Sequence, residues 1–144
     1  MSNFVSAQNF TYSPDDWYIL TMPSSIIAIT EDNFNIYIAT ENGIYNYSKN
    51  SEDFQYDNSF PVQQKFPDIR HFYYDSYRDY YWVVHKTGIS YKSEVSSIWR
   101  EMSFVNSGIY STLEIDDIGS SPEYFWIRSA SMLYPFDPFS ALPA

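Results

Sequence analysis

Few side chains in this sequence could do chemistry. It has two histidines, His71 and His85, no cysteine, and eight lysines and arginines against 18 acids. Two histidines and a carboxylate such as Asp75 could hold zinc, which takes nitrogen and oxygen ligands; the spacing follows no metal signature, and ordinary hydrogen-bonded histidines satisfy it equally. Arg70 and Arg128 each interrupt an apolar run. A guanidinium in such a place needs a carboxylate from the chain or an anionic ligand. Trp82 and Trp126 could stack on a flat ligand. Arg70, His71, His85, Arg128, Trp82 and Trp126 are therefore the candidate ligand-binding residues. Asp32, Asp75 and Asp116 resemble a carboxylate set, but they recur at one turn of a repeat, and an Asp in a turn bonds its own backbone two residues on. No Ser/His/Asp or Cys/His arrangement and no Gly-rich phosphate loop can be assembled. The expectation is a chain that is not an enzyme, with no metal and no cofactor.

What must position these residues is a repeat. Ile26 to Phe60 reads as four short strands: Ile26 to Thr30, Ile36 to Thr40, Ile44 to Tyr47, and a fourth centred on Phe54 and Tyr56. Asn42-Gly43 between two alternating runs is a hairpin signal, because primed turns need positive φ at both central residues. The acidic turn recurs at Asp32, Asp75 and Asp116, spaced 43 and 41 residues apart. The second strand recurs as residues 36–40, 81–85 and 125–129, which aligns Tyr37, Trp82 and Trp126. The following turn recurs as Asn42-Gly43-Ile44, Thr87-Gly88-Ile89 and Ser131-Met132-Leu133, the last without its glycine. Met resists positive φ, so a different turn is expected there. No window sustains helical spacing.

Four short strands in a period of forty-odd residues are the mark of a β-propeller blade. The expected fold is all-β: four-stranded antiparallel blades, three per chain, over 26–60, 69–105 and 109–144, behind a tail over 1–15. The apolar strand, Asp, aromatic strand and Gly-Ile-x-x-Tyr order resembles the blades of two-component-regulator-type propellers over roughly residues 17 to 139. That resemblance implies a secreted or periplasmic bacterial protein; the sequence itself leaves the compartment open. Counting along the repeat leaves the third blade without a fourth strand, while Asp16 to Leu20 forms an orphan strand over 16–22 whose Trp17 matches Phe54 and Trp99. Trp17, Tyr18 and Leu20 are thus expected to close a ring by pairing with another chain, since closure removes a bare sheet edge. Three blades are too few for a ring of about four to eight. A homodimer would give six blades and a homotrimer nine. A three-blade piece of a longer propeller, or a sandwich with coincidental spacing, would show the same pattern.

Formal charge is −10, so a phosphate backbone would be repelled, and nucleic acid is excluded as a partner. No apolar run is long enough to span a bilayer, and Met1 to Gln8 lack the pattern of a signal peptide. Aromatic residues make up 21% of the chain, and packing between blades accounts for most of them. Two functions fit: an oligomeric binding or assembly module for an unknown partner, or a carbohydrate-binding propeller, which would require Tyr37, Trp82 and Trp126 to stay partly exposed.

Overall fold

The computed structural model describes residues 25–41, 43–60, 68–103, 107–137 and the backbone of 142–143. It is all-β, built from three four-stranded antiparallel sheets. The first holds β1 (Ile26–Glu31), β2 (Asn35–Thr40), β3 (Gly43–Ser48) and β4 (Phe54–Tyr56). The second holds β5 (His71–Asp75), β6 (Tyr80–His85), β7 (Gly88–Ser93) and β8 (Arg100–Met102). The third holds β9 (Asp117–Ser120), β10 (Phe125–Ser129), β11 (Met132–Asp137) and β12 (Leu142–Pro143). In each sheet the strands lie side by side in chain order, and the first strands of successive sheets touch. These are the meander and the sequence of contacts of propeller blades. Trp17, Tyr18 and Leu20, expected to close a ring, lie outside the described residues.

Strand register confirms that Tyr37, Trp82 and Trp126 are equivalent: they pair with Thr30, Tyr73 and Gly119 on the first strands of their sheets. Three other expectations need correction. The third sheet does have a fourth strand, β12, paired as Phe136↔Pro143 and Asp137↔Leu142. Two residues, one of them a proline, carry no alternation from which a strand could be read. Gly43 is not a central residue of the turn; it opens β3 opposite Thr40. Its φ is +149°, and a Cβ there would collide with the Tyr56 ring, so glycine is required for that approach. In the third sheet the positive φ falls on Ala130, at 52°, which leaves Met132 free to start β11 extended.

The third correction concerns Asp116. The first strand of the last sheet follows it rather than preceding it, because the stretch before it folds as a 3₁₀ turn (Thr112–Glu114) capped by Ser111. Asp116 donates its amide to the Arg128 carbonyl, as Arg70 does to Val84, so Asp116 is the counterpart of Arg70. The residue that answers to Asp32 and Asp75 is Ser121.

Each sheet has two faces, since side chains alternate. One, the forward face, meets the next sheet: Tyr37 and Ala39 of the first sheet pack against Phe72, Tyr81 and Val83 of the second, with Phe60, Ile69 and Trp99. Trp82, Val84 and Ile89 on the forward face of the second pack against Phe125, Ile127 and Phe136 of the third. The middle sheet is therefore covered on both faces, and β6 is buried at every position after Tyr80. In β10 burial alternates instead: Phe125, Ile127 and Ser129 are inside while Trp126 and Arg128 are not. Aromatic rings fill the gaps between sheets. Trp82 stacks on Phe125 with centroids 3.9 Å apart, and Phe60 meets Tyr37, Phe72 and Tyr81 edge-on at 5.3–5.7 Å. Such pairs contribute about 0.5–1.5 kcal/mol beyond the area they bury.

Candidate functional site

Polar chemistry concentrates first at the turns that leave β1 and β5. Asp32 is 5% exposed. Its Oδ1 accepts the amides of Phe34 and Asn35 at 2.7 Å, and its Oδ2 accepts the hydroxyls of Tyr37 and, from the neighbouring sheet, Tyr81, both at 2.8 Å. The two hydroxyls lie 2.9 Å apart, so two protons serve three short oxygen contacts. A carboxylate that only accepts suits this arrangement. Burial pushes the Asp32 carboxyl up, but the Phe34 amide, the two tyrosine hydroxyls and the Asn35 amide outweigh it and hold the group below its ordinary value. Burial is the main cause that raises both phenols far above theirs; the bond between them raises Tyr81 and opposes the shift at Tyr37, and the bond to the acid raises each further.

Asp75 does the same at the next junction. It is fully buried, accepts the Tyr77 amide at 3.0 Å and Ser120 Oγ of the third sheet at 2.9 Å, and pairs with Arg78 at 2.8 Å. The other Arg78 nitrogen donates to the carbonyls of Ser121 and Pro122 at 2.8 and 2.7 Å. At the third sheet the acid is replaced by Ser121, whose Oγ accepts Trp126 Nε1 at 3.1 Å, five residues away, as Asp32 accepts Tyr37. These carboxylates fasten one sheet to the next.

Asp32 supplies a test by pH. Its folded pKa is depressed, so it contributes stability above the unfolded-state value, and that contribution is lost as pH falls through the folded value. Asp32→Asn is expected to lower unfolding free energy near neutrality by about 1.5–3 kcal/mol, the range for bonds to a charged group. The variant should also show a flatter decline below pH 4 (about the unfolded Asp value) than the parent. Urea unfolding at several pH values checks both, and an unchanged acid limb would refute the assignment.

The six candidate binding residues do not share one site. Trp82 is wholly buried against Phe125. His85 is 2% exposed, with Nε2 3.0 Å from Ser90 Oγ and Nδ1 3.0 Å from Thr87 Oγ1. Burial lowers its pKa. His71 Nε2 lies 3.2 Å from the Ile115 carbonyl. Both histidines are thus engaged by neutral oxygens, and among the described residues no group of three or more His, Asp or Glu side chains could hold a metal ion. Arg70 has a buried Nε with no hydrogen bond among the described residues. Arg128 pairs with Asp116 at 3.6 Å, both about half exposed, and so finds its carboxylate within the chain. Trp126 and Arg128 do come together, lining a hollow of about 180 Å³ with Asp117, Ile118, Gly119 and Leu133 on the forward face of the third sheet.

One polar residue of interest does not stand out in the sequence. Lys92, on β7, is 7% exposed, and its Nζ lies 4.8, 5.5 and 5.6 Å from the ring centroids of Phe60, Trp99 and Tyr81. Burial lowers its pKa, and the field of Asp57 opposes the shift. It lines a second hollow of about 540 Å³ with Asn58, Ser59, Glu94, Val95, Ser96, Ser97 and Trp99. The signal that the sequence holds is its register. Counting from Gly43, Gly88 and Met132, its equivalents are Tyr47 and Phe136, so an ammonium stands where the sister sheets carry a ring.

Among the described residues no helix is long and apolar enough to cross a membrane. No protein-family model matches the chain. No curated protein matches it either. Among solved structures it is similar to the extracellular domain of a protein described as a putative one-component system of B. thetaiotaomicron, with a TM-score of 0.61 and 18% identity over 95% of this chain and 17% of that one. Hsv2 of Kluyveromyces lactis matches with a TM-score of 0.48 and 12% identity over 79% of this chain and 33% of that one. The first likeness bears on the fold alone.

Proposed function

We propose that the chain is a three-bladed arc of a non-catalytic β-propeller binding module, completed into a ring by further copies of itself. The observation that carries this is the forward face of the third blade. Trp82, Val84 and Ile89 are fully buried on the second blade. Their counterparts on the third are Trp126, Arg128 and Leu133, of which Leu133 is 62% exposed and the Arg128 side chain 48%. At the other end, Ile29 is 62% exposed where its counterpart Phe72 is 4% exposed. The two uncovered faces are of the kinds that meet inside the chain, as a head-to-tail interface between copies requires. Two copies give six blades, within the usual span of about four to eight, so a dimer is favoured over a trimer.

The likeness to an extracellular domain of a one-component system, of which this chain matches 17%, supports an arc of a larger module that binds a ligand outside a membrane. A sugar-binding propeller with one stacking residue per blade gains no such support: Tyr37 is 5% exposed and Trp82 0%. Light scattering across a concentration series tests the ring. A stable dimer or trimer is expected, and Leu133→Glu should reduce it to monomer by placing a charge in the interface. A folded parent that stays monomeric at every concentration would overturn the assembly.

A further inference from the structure

The second hollow asks for an explanation that neither the fold nor ring closure supplies. Lys92 is more than nine-tenths buried, and none of the ion pairs among the described residues includes it. A buried ammonium with no ion-pair partner is costly, and contact with ring faces returns only about 0.5–2 kcal/mol. The fold does not call for it. Phe136, its counterpart on the third blade, is fully buried and fills the same slot with hydrocarbon. The second blade thus carries a cation at a core position where its sister carries a ring, and that cation lines an accessible hollow of about 540 Å³. Such a volume lies within the range of small-molecule sites.

We propose that this hollow binds a small organic monocarboxylate, with the Lys92 ammonium as its counter-ion, Trp99 as an apolar wall, and Ser59, Ser96, Ser97 and Asn58 as hydrogen-bonding groups around its rim. The charge balance selects the class. The hollow offers one ammonium, Glu94 lines the same space, and Asp57 lies near enough for its field to act on Lys92. With two carboxylates already beside the one ammonium, a second negative charge on the ligand would meet only repulsion, in a protein of net charge −10, so a monoanion is taken in preference to a phosphate dianion. The rings leave the ammonium only partly stabilised, so a carboxylate oxygen that approaches it makes a charge-assisted hydrogen bond.

The site belongs to a single chain and does not depend on ring closure, so it can fail while the assembly stands, and the reverse. The test is a titration of the full chain with sodium benzoate, benzamide and inorganic phosphate, followed by tryptophan fluorescence because Trp99 lines the hollow. Benzoate is expected to give a saturable change, benzamide to bind at least about tenfold more weakly, which is about 1.4 kcal/mol, and phosphate to give none. Lys92→Met should abolish the benzoate response while leaving the melting temperature equal or higher, because it removes an unpaired buried charge. If that variant fails to fold, Glu94→Gln, at an exposed position, serves instead and should tighten benzoate binding. No saturable response to benzoate, equal binding of benzamide or of phosphate, or an undiminished response in Lys92→Met would each overturn the proposal. A lower melting temperature for Lys92→Met with no benzoate response in the parent would make the lysine a packing residue.

Discussion

Asp75→Ala is expected to lower the unfolding free energy by about 3–5 kcal/mol, the penalty for leaving one partner of a buried ion pair alone. Side-chain exposure is 0% for Asp75 and 6% for Arg78, so the guanidinium left behind could not recover full hydration. Ser120 Oγ and the Tyr77 amide would lose their acceptor in the same step. The loss falls at the junction of the second and third blades, since Arg78 also holds the carbonyls of Ser121 and Pro122. Asp116→Ala is the internal comparison. That acid pairs with Arg128 at 3.6 Å with both side chains about half exposed, and water screens such a pair to about 0–1 kcal/mol. Urea unfolding of both variants reads the difference directly. Similar losses at the two positions would show that the buried pair does not hold the junction.

Trp82→Ala should be equally damaging, by about 3–5 kcal/mol, for a different reason. Its ring is stacked between Tyr91, at 4.7 Å, and Phe125, at 3.9 Å, and is fully excluded from water. Truncation leaves a cavity between two sheets, lined by the Tyr91 and Phe125 rings. Trp126 is the equivalent residue one blade on, yet Trp126→Ala should change the stability of an isolated chain by less than about 1 kcal/mol, because the face it stands on is open. Its larger effect should appear in assembly, as a weakened dimer or trimer by light scattering. Thermal unfolding of both variants, at a concentration where the parent is dissociated, separates the two roles. If Trp126→Ala proves as destabilising there as Trp82→Ala, that face is covered within the chain.

The architecture is legible in the sequence because the repeat is written in residue types that physics constrains. Aromatic and branched apolar residues recurring over Ile36 to Thr40, Tyr81 to His85 and Phe125 to Ser129 mark three equivalent strands, and register bears out their alignment. Even spacing is what misleads. Asp116 falls near the expected interval for the turn acid, whereas Ser121 occupies that place with a neutral hydroxyl that accepts Trp126 Nε1. Residue type alone does not show this, because serine is common in loops. The fourth strand of the last blade is hidden because Leu142–Pro143 is too short to alternate. Lys92 is inconspicuous because a lysine in a strand ordinarily points to water. Only register against Tyr47 and Phe136 shows that it points inward. Of the expected binding residues, Trp82, His71 and His85 are engaged inside the protein, and nothing in their spacing distinguishes engagement from availability.

The two carboxylate fasteners are alike in position and unlike in what they grip. Asp32 takes a phenol from the second blade, while Asp75 takes a serine hydroxyl and an arginine that reaches two carbonyls of the third. Each junction therefore has its own lock and key, and the blades are not interchangeable pieces. Exchanging the second and third would set Asp32 opposite Phe125, which has no hydroxyl to offer where Tyr81 stood. The order of the second and third blades is thus an encoded property of the chain, enforced by a buried polar mismatch against their exchange.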